Sequence, residues 1–212
     1  MTTQSIGETS RFTSTSIATA AIACFAYSVL ALILMHVLRP DYTPSNHMIS
    51  DYAVGRYGWV MATWFVVMSG GLLMLALGLL RGGPRSIGAR LAALLLGIAS
   101  IGLLISASFP TDVEGAPTTR TGDIHTLSFM VNVASIILAV VLLSVSFRSD
   151  PRWRIHQRTA LTLTALILLA FVFQFYTLFF AGPHGIANRI FVTLLFAWLL
   201  STTIRLRALM RD

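Results

Sequence analysis

Six long apolar runs, separated by short polar stretches, dominate this sequence. Each run holds about 19 to 25 residues, and at a rise of about 1.5 Å per residue a helix of that length crosses a hydrocarbon core of about 30 Å. A helix also satisfies its own backbone hydrogen bonds within the bilayer. The runs lie at 15–38, 58–80, 87–108, 124–147, 156–180 and 186–204. We therefore predict an all-α protein, a bundle of six transmembrane helices.

The composition excludes the main soluble classes. Only 11% of the residues are charged and 56% are hydrophobic, whereas a soluble domain carries about 25% charged residues. The formal charge of +7 comes from 15 basic residues, all of them arginine. Guanidinium groups suit loop ends beside anionic lipid headgroups, so we expect membrane lipids as partners and no nucleic acid. The single cysteine, Cys24, lies in an apolar run and has no partner for an intramolecular disulfide.

The arginines also predict the orientation of the chain. Eleven of them flank the second and fourth connections or the two chain ends, and four flank the other side: Arg39, Arg56, Arg120 and Arg189. The positive-inside rule then places both termini in the cytoplasm and predicts a multi-pass protein of the plasma membrane. We divide the chain into a polar N-terminal tail at 1–14, a transmembrane domain at 15–205 and a basic cytoplasmic tail at 206–212.

Two connections are long, and two others are tight turns. The long loops, 39–57 and 110–123, face outward in this topology. The turns at 81–85 and 181–185 contain glycine and proline, so the helices on either side of each turn should be antiparallel neighbours. Ordered loops of the greater length are often functional, so we expect any site to lie on the outer side.

Polar side chains inside the predicted helices collect toward the outer side. On the fourth helix, His125, Ser128, Asn132 and Ser135 follow one another at intervals of three, four and three positions, which aligns them in one stripe. Polar groups are costly in a bilayer, so this stripe should face the bundle interior. The residues predicted to bind substrate are Asn132 together with those of helices five and six, Gln174, Asn188 and Arg189.

The outer loops add residues that are suited to catalysis or to metal binding. The predicted catalytic residues are Ser50, Asp51, Asp112 and His125. If 45–54 forms a short helix, His47 and Asp51 share a face of it at a spacing of four. Zinc needs three or four such ligands at about 2.0 to 2.2 Å, and the candidates are His47, Asp51, Asp112, His125 and His184.

Each of these residues also has a structural interpretation. Asp112 follows a proline that ends the third helix and could cap the next turn. Asp51 could pair with Arg56 or Arg189 and clamp the first loop to the bundle. His125 could be a hydrogen-bonded interfacial histidine, and Arg189 could bind a carbonyl, a carboxylate or a lipid phosphate.

Several short motifs resemble those of a known family. They are Ser50-Asp51-Tyr52-Ala53-Val54-Gly55, Gly58-Trp59, Phe109-Pro110-Thr111-Asp112, Gly122 with His125, and Gly185-Ile186-Ala187-Asn188-Arg189. Together they resemble prokaryotic membrane proteins classed as domain of unknown function 998. The resemblance covers almost the whole chain and implies a six-helix fold, but it implies no particular activity.

Three classes of function fit this pattern. The first is a membrane-embedded, lipid-directed hydrolase or lipid-modifying enzyme, in which a bound metal activates water or Asp51 or Asp112 acts as general acid. Ser50 or Asn132 would then orient substrate or stabilise an oxyanion. The second is a protein that binds or senses a lipid or small solute without chemistry. The third is a structural partner protein whose outer motifs only hold loops against helices.

Overall fold

The computed structural model describes the backbone of residues 2–211 and the side chains of residues 15–211. Within that range the chain forms six long helices and no β-strand. The helices are α1 (Thr2–Leu38), α2 (Gly58–Gly82), α3 (Ile87–Ser108), α4 (Arg120–Ser146), α5 (Pro151–Phe179) and α6 (His184–Arg211), with short 3₁₀ helices at Ile49–Ala53 and Phe147–Ser149. All six are long and apolar enough to cross a membrane, which confirms the predicted fold class.

Three of the helices begin at a capping side chain. Ser86, Thr119 and Asp150 each accept a hydrogen bond from a backbone N–H in the first turn of α3, α4 and α5 respectively. Capping satisfies an N–H group that has no partner inside the helix. The predicted starts of α4 at 124 and of α5 at 156 lie after the observed starts, because the first turns of both helices are polar and lie outside the apolar runs.

The two predicted tails continue the terminal helices. The backbone of α1 is helical from Thr2, while Met1 and the side chains of 2–14 lie outside the described residues. At the other end α6 extends to Arg211, and Leu206 and Met210 are buried. A Cβ atom placed on Gly78 of α2 would lie 2.7 Å from Leu206, so the last turns of α6 pack closely on that helix.

Successive helices run in opposite directions, and neighbours in the chain pack side by side. In addition, α1 packs against α6, where the Thr15 hydroxyl donates to the carbonyl of Met210 at 3.2 Å. We call the end of the bundle that carries both chain termini the terminal end. The opposite end, which carries the connections 39–57 and 109–119, is the loop end. The stripe of α4 faces inward as predicted, since each of its four residues is at most 6% exposed.

Candidate functional site

The loop from Arg39 to Tyr57, which we call loop 1, folds back onto the loop end of the bundle. Its 3₁₀ helix buries Ile49 and Tyr52. The backbone N–H of Ile49 donates to Oδ1 of Asn188 at 3.1 Å, and that of Gly185 donates to the carbonyl of Ser45 at 2.9 Å. The first turn of α6 therefore holds loop 1 in place.

The 3₁₀ helix is shorter than the helix predicted at 45–54. His47 lies before its first residue, so His47 and Asp51 do not share a helix face. The Asp51 carboxylate instead accepts the N–H of Met48 at 2.6 Å. Burial raises the pKa of Asp51 above its usual range, against the lowering effect of this hydrogen bond.

Arg189 fastens loop 1 to α6 through neutral partners. Its Nη1 atom lies 2.7 Å from the carbonyl of His47 and 3.0 Å from that of Pro44, and Nη2 donates to the hydroxyl of Tyr52 at 3.1 Å. Its Nε atom donates to Nε2 of His36 at 2.8 Å. The predicted pairing of Asp51 with Arg189 or Arg56 is absent among the ion pairs of the described residues. Loop 1 is clamped to the bundle as predicted, but Arg189 holds it through backbone carbonyls and not through Asp51.

Gly185 is required where loop 1 meets α6. A Cβ atom at this position would lie 2.5 Å from the carbonyl oxygen of Pro44 and 2.6 Å from that of His47. Any larger residue would push the two backbones apart. Close approach thus explains the glycine of the Gly185-to-Arg189 motif.

A second arginine that the sequence analysis missed secures the base of loop 1. Arg39 is 6% exposed, binds both carboxylate oxygens of Asp41, and donates to the carbonyls of Val54 and Arg56 at 2.6 and 3.1 Å. The hydrogen bonds from Arg39 lower the pKa of Asp41. The sequence feature that could have indicated this role is Arg39-Pro40-Asp41, which directly follows an apolar run.

The motif around Asp112 connects the end of α3 to the start of α4. Asp112 accepts hydrogen bonds from the N–H and the hydroxyl of Thr119 at 2.9 and 2.6 Å. These hydrogen bonds lower the pKa of Asp112. A Cβ atom on Gly122 would lie 1.9 Å from the Asp112 carboxylate, so only glycine leaves room for it. Asp112 therefore has the structural role of holding the N-terminal cap of α4.

His125 completes this connection. Its Nδ1 atom lies 2.8 Å from the carbonyl of Phe109. Since a carbonyl only accepts, Nδ1 carries a proton and donates it to this hydrogen bond. One side of the ring thus holds the end of α3, and the ring is also part of the cavity described next.

A narrow cavity lies at the loop end between α2, α3, α4 and α6, below loop 1. Its volume is about 90 Å³ and its walls are mainly apolar, with Trp64, Phe65 and Phe191 among them. On α4 it extends from His125 to Ile136, about 16 Å along the helix axis. The polar residues that line it are Ser50, Ser106, His125, Asn132 and Asn188, and no Arg, Asp or Glu is among its lining residues.

Two polar side chains that line this cavity make no hydrogen bond at all to the described residues. Asn132 is 5% exposed, and within the described part of the chain its amide makes no hydrogen bond. The Ser50 hydroxyl has none either. The amide faces an apolar-walled cavity without a protein partner, so a bound molecule that hydrogen-bonds to Asn132 would be favoured.

The residues predicted from the sequence are therefore divided between several places. The cavity brings together Ser50, His125, Asn132 and Asn188. Asp51 and Asp112 lie outside it and bind the backbone of their own loops, and Arg189 of α6 lies outside it and binds loop 1. Gln174 is 1% exposed on α5, both of its amide atoms lack partners, and it does not line the cavity.

The five predicted metal ligands do not converge. Among the residues with described side chains, no group of three or more His, Cys, Asp or Glu is placed to hold a metal ion. His47 and His184 instead each approach one oxygen of Glu114, at 3.7 and 3.8 Å. Asp51 and Asp112 are bound to Met48 and Thr119, while His125 faces Phe109. The zinc site predicted from these five residues is therefore not assembled in this structure.

Six membrane-length helices, four of which enclose a small, largely apolar cavity, define a multi-pass membrane protein. The chain belongs to the family described as protein of unknown function (DUF998), whose model matches residues 20–205. This confirms the family resemblance predicted from the sequence. No curated protein and no solved structure matches the chain.

Proposed function

We propose that this protein binds the uncharged polar end of an amphipathic molecule in the cavity between α2, α3, α4 and α6. The observation that carries this proposal is the unpaired amide of Asn132 inside an apolar-walled cavity. Ligand sites commonly combine apolar walls with a few polar groups that fix orientation. Membrane lipids are the natural source of such a molecule.

The charge and size of the cavity restrict the ligand. None of the lining residues is Arg, Asp or Glu, so nothing compensates a charged headgroup there. The volume of about 90 Å³ is smaller than the cavity of about 150 Å³ that accommodates benzene. The space therefore suits a hydroxyl, carbonyl or ester group with a few carbons of one chain, and the rest of the molecule would extend outside.

Binding without chemistry is better supported than the predicted hydrolase. A hydrolase of the predicted type would use Asp51 or Asp112 as an acid or ligand, and both carboxylates already bind the backbone of their own loops. A purely structural role accounts for Asp112 and Arg189, but it leaves the cavity and the free amide of Asn132 without a purpose. Ligand binding accounts for both.

The experiment compares two lipids that share one chain. For the purified full-length protein in detergent, 1-monooleoylglycerol should raise the temperature of thermal unfolding more than oleate does, because its headgroup is uncharged. Asn132→Ala should weaken monooleoylglycerol binding about tenfold, the effect of losing one buried hydrogen bond.

The control variant is Ser135→Ala, which changes a buried residue of the same stripe outside the cavity lining. It should bind as the unmodified protein does. Equal binding by Asn132→Ala and Ser135→Ala, or a stronger effect of oleate, would contradict the proposal.

We also propose that both termini face the cytoplasm of a plasma membrane and that the loop end faces outward. The distribution of eleven arginines against four supports this orientation. In a Cys24→Ser background, a membrane-impermeant maleimide should label Thr118→Cys in intact cells and Arg211→Cys only after permeabilisation. Labelling in the reverse order would show the opposite orientation.

A further inference from the structure

A second and larger cavity forms a groove between α1 and α6. Its volume is about 300 Å³, and its walls include Val29, Leu32 and Ile33 of α1 with Val192 and Phe196 of α6. At the loop end it terminates at His36 and Arg189. Ile33 is 59% exposed and Thr193, which also lines the groove, is exposed, so the groove opens to the surroundings of the bundle.

The position of the groove exposes it to lipid. Its α1 and α6 walls belong to spans Thr15–Leu38 and His184–Arg211, which have the length and hydropathy of membrane-crossing helices. His36 lies two residues before the end of α1, and Arg189 lies in the second turn of α6. The apolar walls are therefore at the depth of acyl chains, and the polar end is near the depth of headgroups.

The charge of Arg189 has no counter-ion in the described part of the chain. All its hydrogen-bond partners are neutral, namely three backbone carbonyls, the Tyr52 hydroxyl and the ring of His36. No carboxylate oxygen lies within 4.0 Å of its guanidinium, since the ion pairs of the described residues all involve other groups. An uncompensated cation within a membrane span is costly, so an anion beside it would be stabilising.

The hydrogen-bonding capacity of Arg189 leaves room for such an anion. Of the five N–H groups of a guanidinium, the Nε group donates to His36 and one Nη2 group donates to Tyr52. The three carbonyls share the two groups on Nη1. One N–H of Nη2 is thus available. His36 adds no negative charge, because its Nδ1 atom lies 2.6 Å from the carbonyl of Leu32 and its Nε2 atom accepts from Arg189.

We propose that this groove binds an anionic phospholipid, with one acyl chain along α1 and α6 and the phosphate beside Arg189. The volume is about twice that of a cavity that holds benzene, which corresponds to roughly a dozen acyl carbons. Guanidinium groups bind phosphate through strong charge-assisted hydrogen bonds. The groove adjoins the cavity of Asn132, with which it shares the wall residues Ile49, Val192 and Phe196, but Arg189 and Thr193 line the groove alone and Asn132 lines the cavity alone. The proposal does not depend on the function proposed for that cavity.

The experiment measures which phospholipid stays bound to the full chain. The protein is reconstituted in vesicles of equimolar dioleoylphosphatidylglycerol and dioleoylphosphatidylcholine, extracted in mild detergent and studied by native mass spectrometry. Phosphatidylglycerol should be retained over phosphatidylcholine about fivefold, the preference expected for one arginine beside anionic lipid. Equal retention of the two lipids would overturn the proposal.

Two tryptophan variants of α6 test the location. Thr193→Trp fills the groove at an exposed position, and Ala197→Trp places the same side chain at an exposed position outside its lining. Thr193→Trp should lose the bound phosphatidylglycerol, whereas Ala197→Trp should retain it. Equal retention by both variants would place the lipid elsewhere and overturn the assignment.

Two further variants separate the headgroup from the chain and this site from the inner cavity. Arg189→Gln should abolish the preference for phosphatidylglycerol. If that variant does not fold, the lipid preference of the unmodified protein and the comparison of Thr193→Trp with Ala197→Trp still test the proposal. Asn132→Ala should retain phosphatidylglycerol as the unmodified protein does. A wrong proposal for the inner cavity would appear in monooleoylglycerol binding, and a wrong proposal for the groove would appear in phosphatidylglycerol retention. The two failures are therefore distinguishable.

Discussion

Replacing Arg189 with methionine should detach loop 1 from α6 and lower the free energy of unfolding by about 3 kcal/mol. Methionine has a similar length but no N–H donors, so the carbonyls of Pro44 and His47 and the hydroxyl of Tyr52 lose their partner. Leaving a buried acceptor unsatisfied costs about 1–3 kcal/mol, which applies to the partly buried bonds to His47 and Tyr52 but not to the exposed bond to Pro44. Thermal unfolding of the purified protein measures the loss, and amide hydrogen exchange over 43–53 measures the detachment.

Arg56→Met is the matched control, since Arg56 belongs to the same loop and is exposed. Its guanidinium lies over the ring of Tyr57 at 4.8 Å, a contact worth about 0.5–1 kcal/mol at an exposed site. This variant should keep the exchange protection of 43–53. If Arg189→Met kept it too, the arginine would not be the clamp that the contacts indicate.

Replacing Gly122 with alanine should lower the free energy of unfolding by about 1–3 kcal/mol, the usual cost of overpacking a well-packed contact. The added Cβ atom would lie 1.9 Å from the Asp112 carboxylate and would force it away from Thr119. The start of α4 would then lose the support of its cap. Unfolding by heat or denaturant measures the change.

A double-mutant cycle with Asp112→Ala identifies the cause. Removal of the carboxylate should relieve the clash, so Gly122→Ala should cost much less in the Asp112→Ala background. Additive effects of the two substitutions would mean that the glycine matters for another reason. Gly97→Ala serves as a control, because a Cβ atom there meets no neighbour within 4 Å.

The cycle should also depend on pH in a defined direction. The hydrogen bonds from Thr119 lower the pKa of Asp112 in the folded protein. The stability that this carboxylate contributes is therefore present above the pKa of the unfolded chain and is lost as the pH falls through the folded pKa. In the double-mutant cycle, the part of the coupling energy that comes from the Asp112–Thr119 hydrogen bonds should therefore become smaller as the pH falls.

Some features of the site were predictable because they depend on local periodicity. The inward stripe of α4 follows from helical spacing and from the cost of placing His125 and Asn132 against lipid. Two of the structural interpretations were also close to the observed contacts. Asp112 supports the cap of the next helix, and Arg189 binds carbonyls.

Other features depended on how the loops dock, which spacing does not reveal. The predicted pairing of His47 with Asp51 needed a regular helix at 45–54, but the chain forms only a short 3₁₀ helix there. Arg39 and Glu114 were missed as anchors because each contacts its partners through the folded course of loop 1 or of the α3–α4 connection. Gln174 was expected beside the substrate and lies outside the cavity lining.

From the sequence alone, the number of crossings, the inward face of α4 and, away from the two chain ends, the limits of the helices to within a few residues could be derived. Hydrophobic length and side-chain periodicity act over one helix at a time, so they can be read locally. Only the tertiary structure decided which polar residues share the cavity and which bind loops. The reason is distance along the chain, since Arg189 meets His36 across 153 positions and the N–H of Ile49 meets Asn188 across 139.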